Sequence, residues 1–309
     1  MGTTVLNGSS WPLNRTRMAQ YLGFATLVDN AYDAAQISSS EYPVEVAAIV
    51  TSIGLHVGHF IQDVMTQYAQ TRPWILLQAR GMNTRVSSAM PQKQNPILLT
   101  ETRRDVSSAL ALAMGPVMRA HNITPGMQDP KEESSNTEMV RSAVQFLKQF
   151  DRILNSLVIS PERALEELNS DWTASQELAD VLMSKYKIPF RAGHHFGSEI
   201  VSYAKAHNIK PLDFPYAQAP KIFRDAVKDH SATTELPMSE QEFRSTLDPV
   251  AIVQNRRTVG GPQMPEMKRM LALAKQSLTD QQQWISARRA AIDGALTHLN
   301  RDFAKLLTP

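Results

Sequence analysis

Cysteine is absent from all 309 residues, which excludes disulfides and thiolate metal sites and leaves the fold to stand on packing. Charge of one sign is absent too: 32 lysines and arginines face 30 aspartates and glutamates, mixed along the chain, for a net charge of +2. Nothing in that balance points to nucleic acid as the main partner. No window holds 18 uninterrupted apolar residues, which argues against a membrane span. The first residues have no basic start leading into an apolar stretch, as a secretory leader would. Continuous or alternating β-branched runs are nearly missing, so the expected class is all-α. Together these absences suggest a soluble, cytoplasmic protein with no membrane partner.

What is present is helical periodicity. Over residues 43–68 the apolar positions Val46, Val50, Ile53, Val57, Phe60 and Val64 alternate in steps of four and three, the pattern of a helix packed lengthwise in a bundle. Asn95-Pro96 reads as the N-cap and first position of a second helix over 97–121, with Leu99, Val106, Leu110, Ala113 and Val117 on one face. A third helix is expected over 136–157, with Val140, Ala143, Phe146, Leu147, Phe150 and Leu154 turned inward. The Ser160-Pro161 step marks a change to shorter elements, among them helices at 174–186 and 193–206. From residue 264 onward Leu271, Leu278, Ile285, Ile292, Leu299 and Leu306 recur every seventh position, predicting a long helix with bundle or coiled-coil contacts. The expected organisation is a bundle domain over 1–159, a small helical domain over 160–263 and a terminal long helix over 264–309.

Few residues suggest chemistry on their own. His56 and His59 diverge around one helix and find no third ligand with Asp63, so ordinary bundle histidines are expected and no metal site. His194 and His195 point roughly 100° apart on a helix, one expected buried and one exposed. The glycines in 81–83 and 259–262 lack the strand-then-helix context of a phosphate loop and read as turns. The segment SSAMPQKQNP at 87–96 differs, because its serines and lysine precede a helix N-terminus, where free N–H groups favour an anion. From the residues alone, an anion-binding loop and a plain inter-helix connector fit it equally.

That segment resembles the signature loop GSSxMPxKxNP of the fumarase/aspartase superfamily. Further stretches resemble its argininosuccinate lyase branch: VLNGSSWPLNRTRMAQYLGF at 5–24, DNAYDA at 29–34, MQDPKE at 127–132, ASQELADVLMSKYKIPFRAGHH at 174–195 and LDPVAIVQNRRTVGGP at 247–262. The resemblance implies a long-helix bundle with a smaller C-terminal helical domain. It also implies reversible β-elimination of an amine from an N-substituted aspartate, argininosuccinate or a related compound, to give fumarate without a cofactor.

In the family a loop serine, ionised, removes a carbon-bound proton next to a carboxylate, and Ser87 matches that position. Lys93 and Asn95 match carboxylate-binding positions, joined by Ser88 and the N–H groups around Met90. Gln128 and Lys131 match positions that contact the amine portion of the substrate. Family sites are built from three subunits of a homotetramer. The likeness further implies that the family's N-terminal part, with its histidine segment, has no counterpart here, so a second chain would supply it or the protein would be a silent, oligomerising relative. Two loop positions depart from the pattern: Val86 replaces a glycine, and Thr100 replaces a glutamate.

Overall fold

A computed structural model describes residues 2–121, 123, 133–228 and 233–307. They divide into two compact units, 1–159 with 281–309, and 160–280. The all-α expectation holds, since the only strands among the described residues are four short ones.

The first unit begins with α1 (Arg15–Tyr21), whose Asn14 side chain accepts the Arg17 N–H at 2.8 Å. A π-helical turn, Asp33–Ile37, feeds directly into α2 (Ser38–Gln67), so the α-helix starts five residues before Pro43 rather than at it. The Ser39 and Ser40 hydroxyls bond back to the Ala35 and Gln36 carbonyls and steady this entry. The segment 33–67 is long and apolar enough to cross a bilayer by length and composition alone. Here, however, one face of α2 packs into the bundle core.

Beyond α2 come β1 (Ile75–Leu77), β2 (Arg85–Val86), β3 (Gln94–Asn95) and α3 (Ile97–Ala120). They are followed by α4 (Glu133–Ser156) and β4 (Leu157–Ile159), which pairs antiparallel with β1. The buried residues of α2 are Ala47, Val50, Gly54, Val57, Ile61, Val64 and Gln67, and those of α3 include Leu99, Thr102, Val106, Ala109, Ala113 and Pro116. Both series run in strict steps of three and four, the spacing of helices packed along their length.

The expected faces are therefore right in period and partly wrong in phase. On α2 the small Ala47 and Gly54 are buried, while Val46, Ile53 and Phe60 flank the core. A Cβ at Gly54 would stand 3.1 Å from the Leu110 side chain, so α3 approaches where a larger residue would hold it off. On α4 Met139, Ala143, Phe146 and Ile153 are buried, whereas Val140, Leu147 and Leu154 of the expected face are exposed. Each long helix has more apolar surface than three helices can cover, and a second stripe is left open.

The second unit comprises α5 (Pro161–Ser170), α6 (Gln176–Tyr186), α7 (Phe190–Ala206), α8 (Ala219–Val227), α9 (Glu240–Leu247) and α10 (Pro249–Asn255). Starts are set by local chemistry: the Ser160, Ser239 and Asp248 side chains accept N–H groups of α5, α9 and α10, with proline first in α5 and α10. Its core is aromatic. Phe196 meets Phe223 edge-on at 5.1 Å, and Phe214 lies against Trp172 and Phe243. His194 and His195 are both exposed, because the buried stripe of α7 runs through Ala192, Gly193, Phe196 and Gly197. His56 and His59 are likewise exposed.

The last helix, α11 (Met264–Leu306), spans the division between the units. Within this single chain residues 271–294 are exposed without interruption, Leu271, Leu278, Ile285 and Ile292 among them, while Leu299 is half-buried. Near its end Tyr21 donates to Asp302 at 3.0 Å, and Gly23, at φ +80°, lies close to Ile292 and Ala295.

A Cβ at Gly193 would sit 2.8 Å from the Ala179 Cα, a backbone contact that no rotamer change relieves. Gly193→Ala should therefore destabilise the chain by about 1–3 kcal/mol in denaturant titration, although alanine is the better helix former. At the start of α11, Glu266 accepts two bonds from Arg269 and one from the Gly260 N–H, which together lower its pKa to about 2. Its ionised form thus stabilises the fold fully above the ordinary value of 4.5, and this is lost as pH falls toward 2. Melting curves over that range should show a smaller acid-induced drop in Glu266→Gln than in the parent.

Candidate active site

Between α2 and α3 the chain makes a small antiparallel hairpin from β2 and β3, pairing Arg85 with Asn95 and Val86 with Gln94. The ladder continues with the Ser87 N–H donating to the Lys93 carbonyl at 3.0 Å, and the Lys93 N–H closes the tip on the Met90 carbonyl. Thr84 Oγ1 also donates to Gln94 Oε1, at 3.2 Å. Five of the residues singled out in the sequence are thus held on one hairpin: Ser87, Ser88, Met90, Lys93 and Asn95. Gln128 and Lys131 lie outside the described residues.

Ser87 is half-buried at the neck of the tip, and its Oγ accepts the N–H groups of Ala89 and Met90 at 3.3 and 3.2 Å. Two donors aimed at one hydroxyl oxygen stabilise negative charge on it. Ser88, Met90 and Lys93 are exposed, and Asn95 is half-buried in the ladder. The charged residues of this stretch of chain have one sign. Arg80, Arg85 and Lys93 lie within 78–100, a stretch with no acidic residue.

The α3 N-terminus differs from expectation. Asn95 is engaged in the ladder opposite Arg85, so it is not the N-cap; Pro96 takes that place and offers no side-chain bond. The Leu98 N–H is already taken by the Asn83 carbonyl at 3.1 Å. Thr100 turns its hydroxyl back onto the Ile97 carbonyl of its own helix, at 2.9 Å.

Asn83 is the hub beneath the hairpin. This buried side chain donates to the Gln78 carbonyl at 3.3 Å and accepts from Arg152 Nε and Nη2 at 3.1 and 2.8 Å. Neither residue carries a signal in sequence: Asn83 stands two residues after a glycine in what reads as a turn, and Arg152 looks like one more cation on a helix.

The segment carrying Gln128 and Lys131 is entered from the other end of α3. That helix of 24 residues is roughly 36 Å long. A cavity of about 420 Å³ at that far end is lined by Tyr32, Gln36, Ser40, Glu41, Glu45 and Ile123 among others, and by none of the hairpin residues. Among the described residues no three histidine, aspartate or glutamate side chains stand close enough to hold a metal ion.

Comparison with known proteins bears on this arrangement. Residues 172–254 match the family model described as argininosuccinate lyase C-terminal. The chain is 26% identical to the argininosuccinate lyase of Staphylococcus saprophyticus over 91% of its length, covering 58% of that protein. It is 24% identical to that of Methanosarcina acetivorans over 97% of its length, covering 59%. A crystal structure of EDDS lyase in complex with formate shares the fold, with a TM-score of 0.81 at 20% identity over 97% of this chain and 58% of that one. A fumarate lyase/delta crystallin from Brucella melitensis aligns at a TM-score of 0.54. The chain spans less than two thirds of the length of these relatives, and over the part it spans it is similar in sequence to argininosuccinate lyases and in fold to EDDS lyase.

Proposed function

We propose that the chain is the greater part of a carbon–nitrogen lyase that eliminates an amine from an N-substituted aspartate to release fumarate, and runs the reverse addition. Ser87 is the general base. The observation that carries this is the pair of N–H donors on Ser87 Oγ, set in a hairpin with cations and no acid. A serine hydroxyl is a very weak acid, and only preorganised donors and positive potential bring its ionised form within reach. Removing the proton next to a carboxylate places a second negative charge on that carboxylate. Lys93, Asn95, Ser88 and the Met90 amide bind the carboxylates, while Gln128 and Lys131 select the amine portion. A solved neighbour, an EDDS lyase variant, holds bound fumarate, which agrees with a four-carbon dicarboxylate product.

The working form is an oligomer, a homotetramer in the reading we favour, in the cytoplasm. The exposed stripe Val140, Leu147 and Leu154 on α4 supports assembly, since it supplies apolar surface for such packing. A second reading, a silent module or one half of a split enzyme, is favoured by Thr100, whose hydroxyl is spent on its own helix where the family has a glutamate.

Ultraviolet absorbance of fumarate tests the proposal. On mixing with argininosuccinate or a related N-substituted aspartate, the assembled protein should release fumarate, and Ser87→Ala should lower kcat at least about a hundredfold while leaving thermal stability unchanged. Undiminished turnover in that variant would reject Ser87 as the base.

A further inference from the structure

We propose that Arg152 is a positioning residue for the signature hairpin, acting through Asn83; this rests on the reading of that hairpin as the carrier of Ser87. The hairpin hangs between two feet, residue 83 on one side and the Pro96–Leu98 turn on the other. A single backbone bond, Leu98 N–H to the Asn83 carbonyl, ties the feet to each other. Below them the chain is anchored by the β1–β4 ladder and by the Gln78 N–H on the Ser156 carbonyl at 2.8 Å. Above them the hairpin is held by its own short ladder, and most of its side chains face solvent.

Asn83 gathers several of the bonds that fix the near foot. Its N–H reaches the Arg80 carbonyl, its carbonyl receives Leu98, and its side-chain amide donates to the Gln78 carbonyl. The remaining atom, Oδ1, would be a buried acceptor without Arg152, which puts two N–H groups of its planar fork on it. Arg152 stands in the last turns of α4, close to Ile153 and Ser156, both buried in the bundle. The fork therefore registers the foot of the hairpin against the rigid helices. A lysine at 152 would keep the charge but not the paired geometry. Arg152 touches no substrate in this scheme. It decides how often, and about which point, the hairpin swings.

Amide hydrogen exchange on the full chain tests this. In Arg152→Ala the amides of 84–95 should exchange about tenfold faster, the size expected for losing one charge-assisted bond, while amides in the middle of α2 and α3 keep their rates. Arg152→Lys should fall between parent and alanine variant. Guanidinium ion at millimolar concentration should restore slow exchange to Arg152→Ala and not to Arg152→Lys, a rescue that a general packing role would not show. Fumarate titration then separates the two levels. If the parent binds fumarate, Arg152→Ala should bind it more weakly and regain affinity with guanidinium. If the parent binds none yet exchange behaves as expected, the lyase reading fails and the clamp stands. Hairpin exchange that is unchanged in Arg152→Ala, or acceleration spread equally through the bundle, would overturn the inference whatever the parent binds.

Discussion

The close passage of α2 and α3 at Gly54 is the constraint on which the rest depends. A Cβ at that position would stand only 3.1 Å from the Leu110 side chain and 3.4 Å from Val106 of α3, and the two buried series interleave along their length. Bringing α3 to that depth fixes where its first turn emerges from the core, with Leu98 and Leu99 buried immediately behind Pro96. The hairpin therefore starts from a point set by packing some distance away. Substituting a bulkier residue at 54 would displace α3 as a unit, and the hairpin with it.

On this rigid base sits an element with little stability of its own. A two-stranded ladder of two residue pairs, exposed to water, is marginal in isolation. That contrast suits the proposed elimination, whose base would have to be solvated and approachable at one stage and enclosed at another. Val86, in the ladder, lends its β-branched stiffness to the stem, while Ser87 to Lys93 form the part left to move. Ser87 makes its pair of N–H contacts with residues inside that part, so its surroundings travel with it.

Much of this could be read from the amino acids. The signature segment, the helix over 97–121 and the alternating steps of three and four were all legible, since they rest on local chemistry and period. Phase was less so: where apolar residues occur in adjacent pairs, as Val46-Ala47, Ile53-Gly54 and Phe60-Ile61, period cannot say which member faces in. Close approach chose the small residue in the first two pairs. The hairpin was hidden because two-residue strands show no alternation, and the expected Asn95 cap gave way to ladder pairing. Arg152 and Asn83 meet across 69 positions of sequence, a separation at which no local pattern gives warning. The heptad leucines of α11 mark a real helix, but not what lies alongside it.

The charge around the hairpin has a wider consequence. Arg80, Arg85 and Lys93, with no carboxylate among them, attract every small anion in solution and not the reactant alone. At roughly 0.1 M salt such a field fades within about 10 Å, so it gathers dianions at the mouth without reaching far into bulk. Phosphate or sulfate in a buffer would crowd the same place, and the medium chosen for an assay becomes a competitor in it.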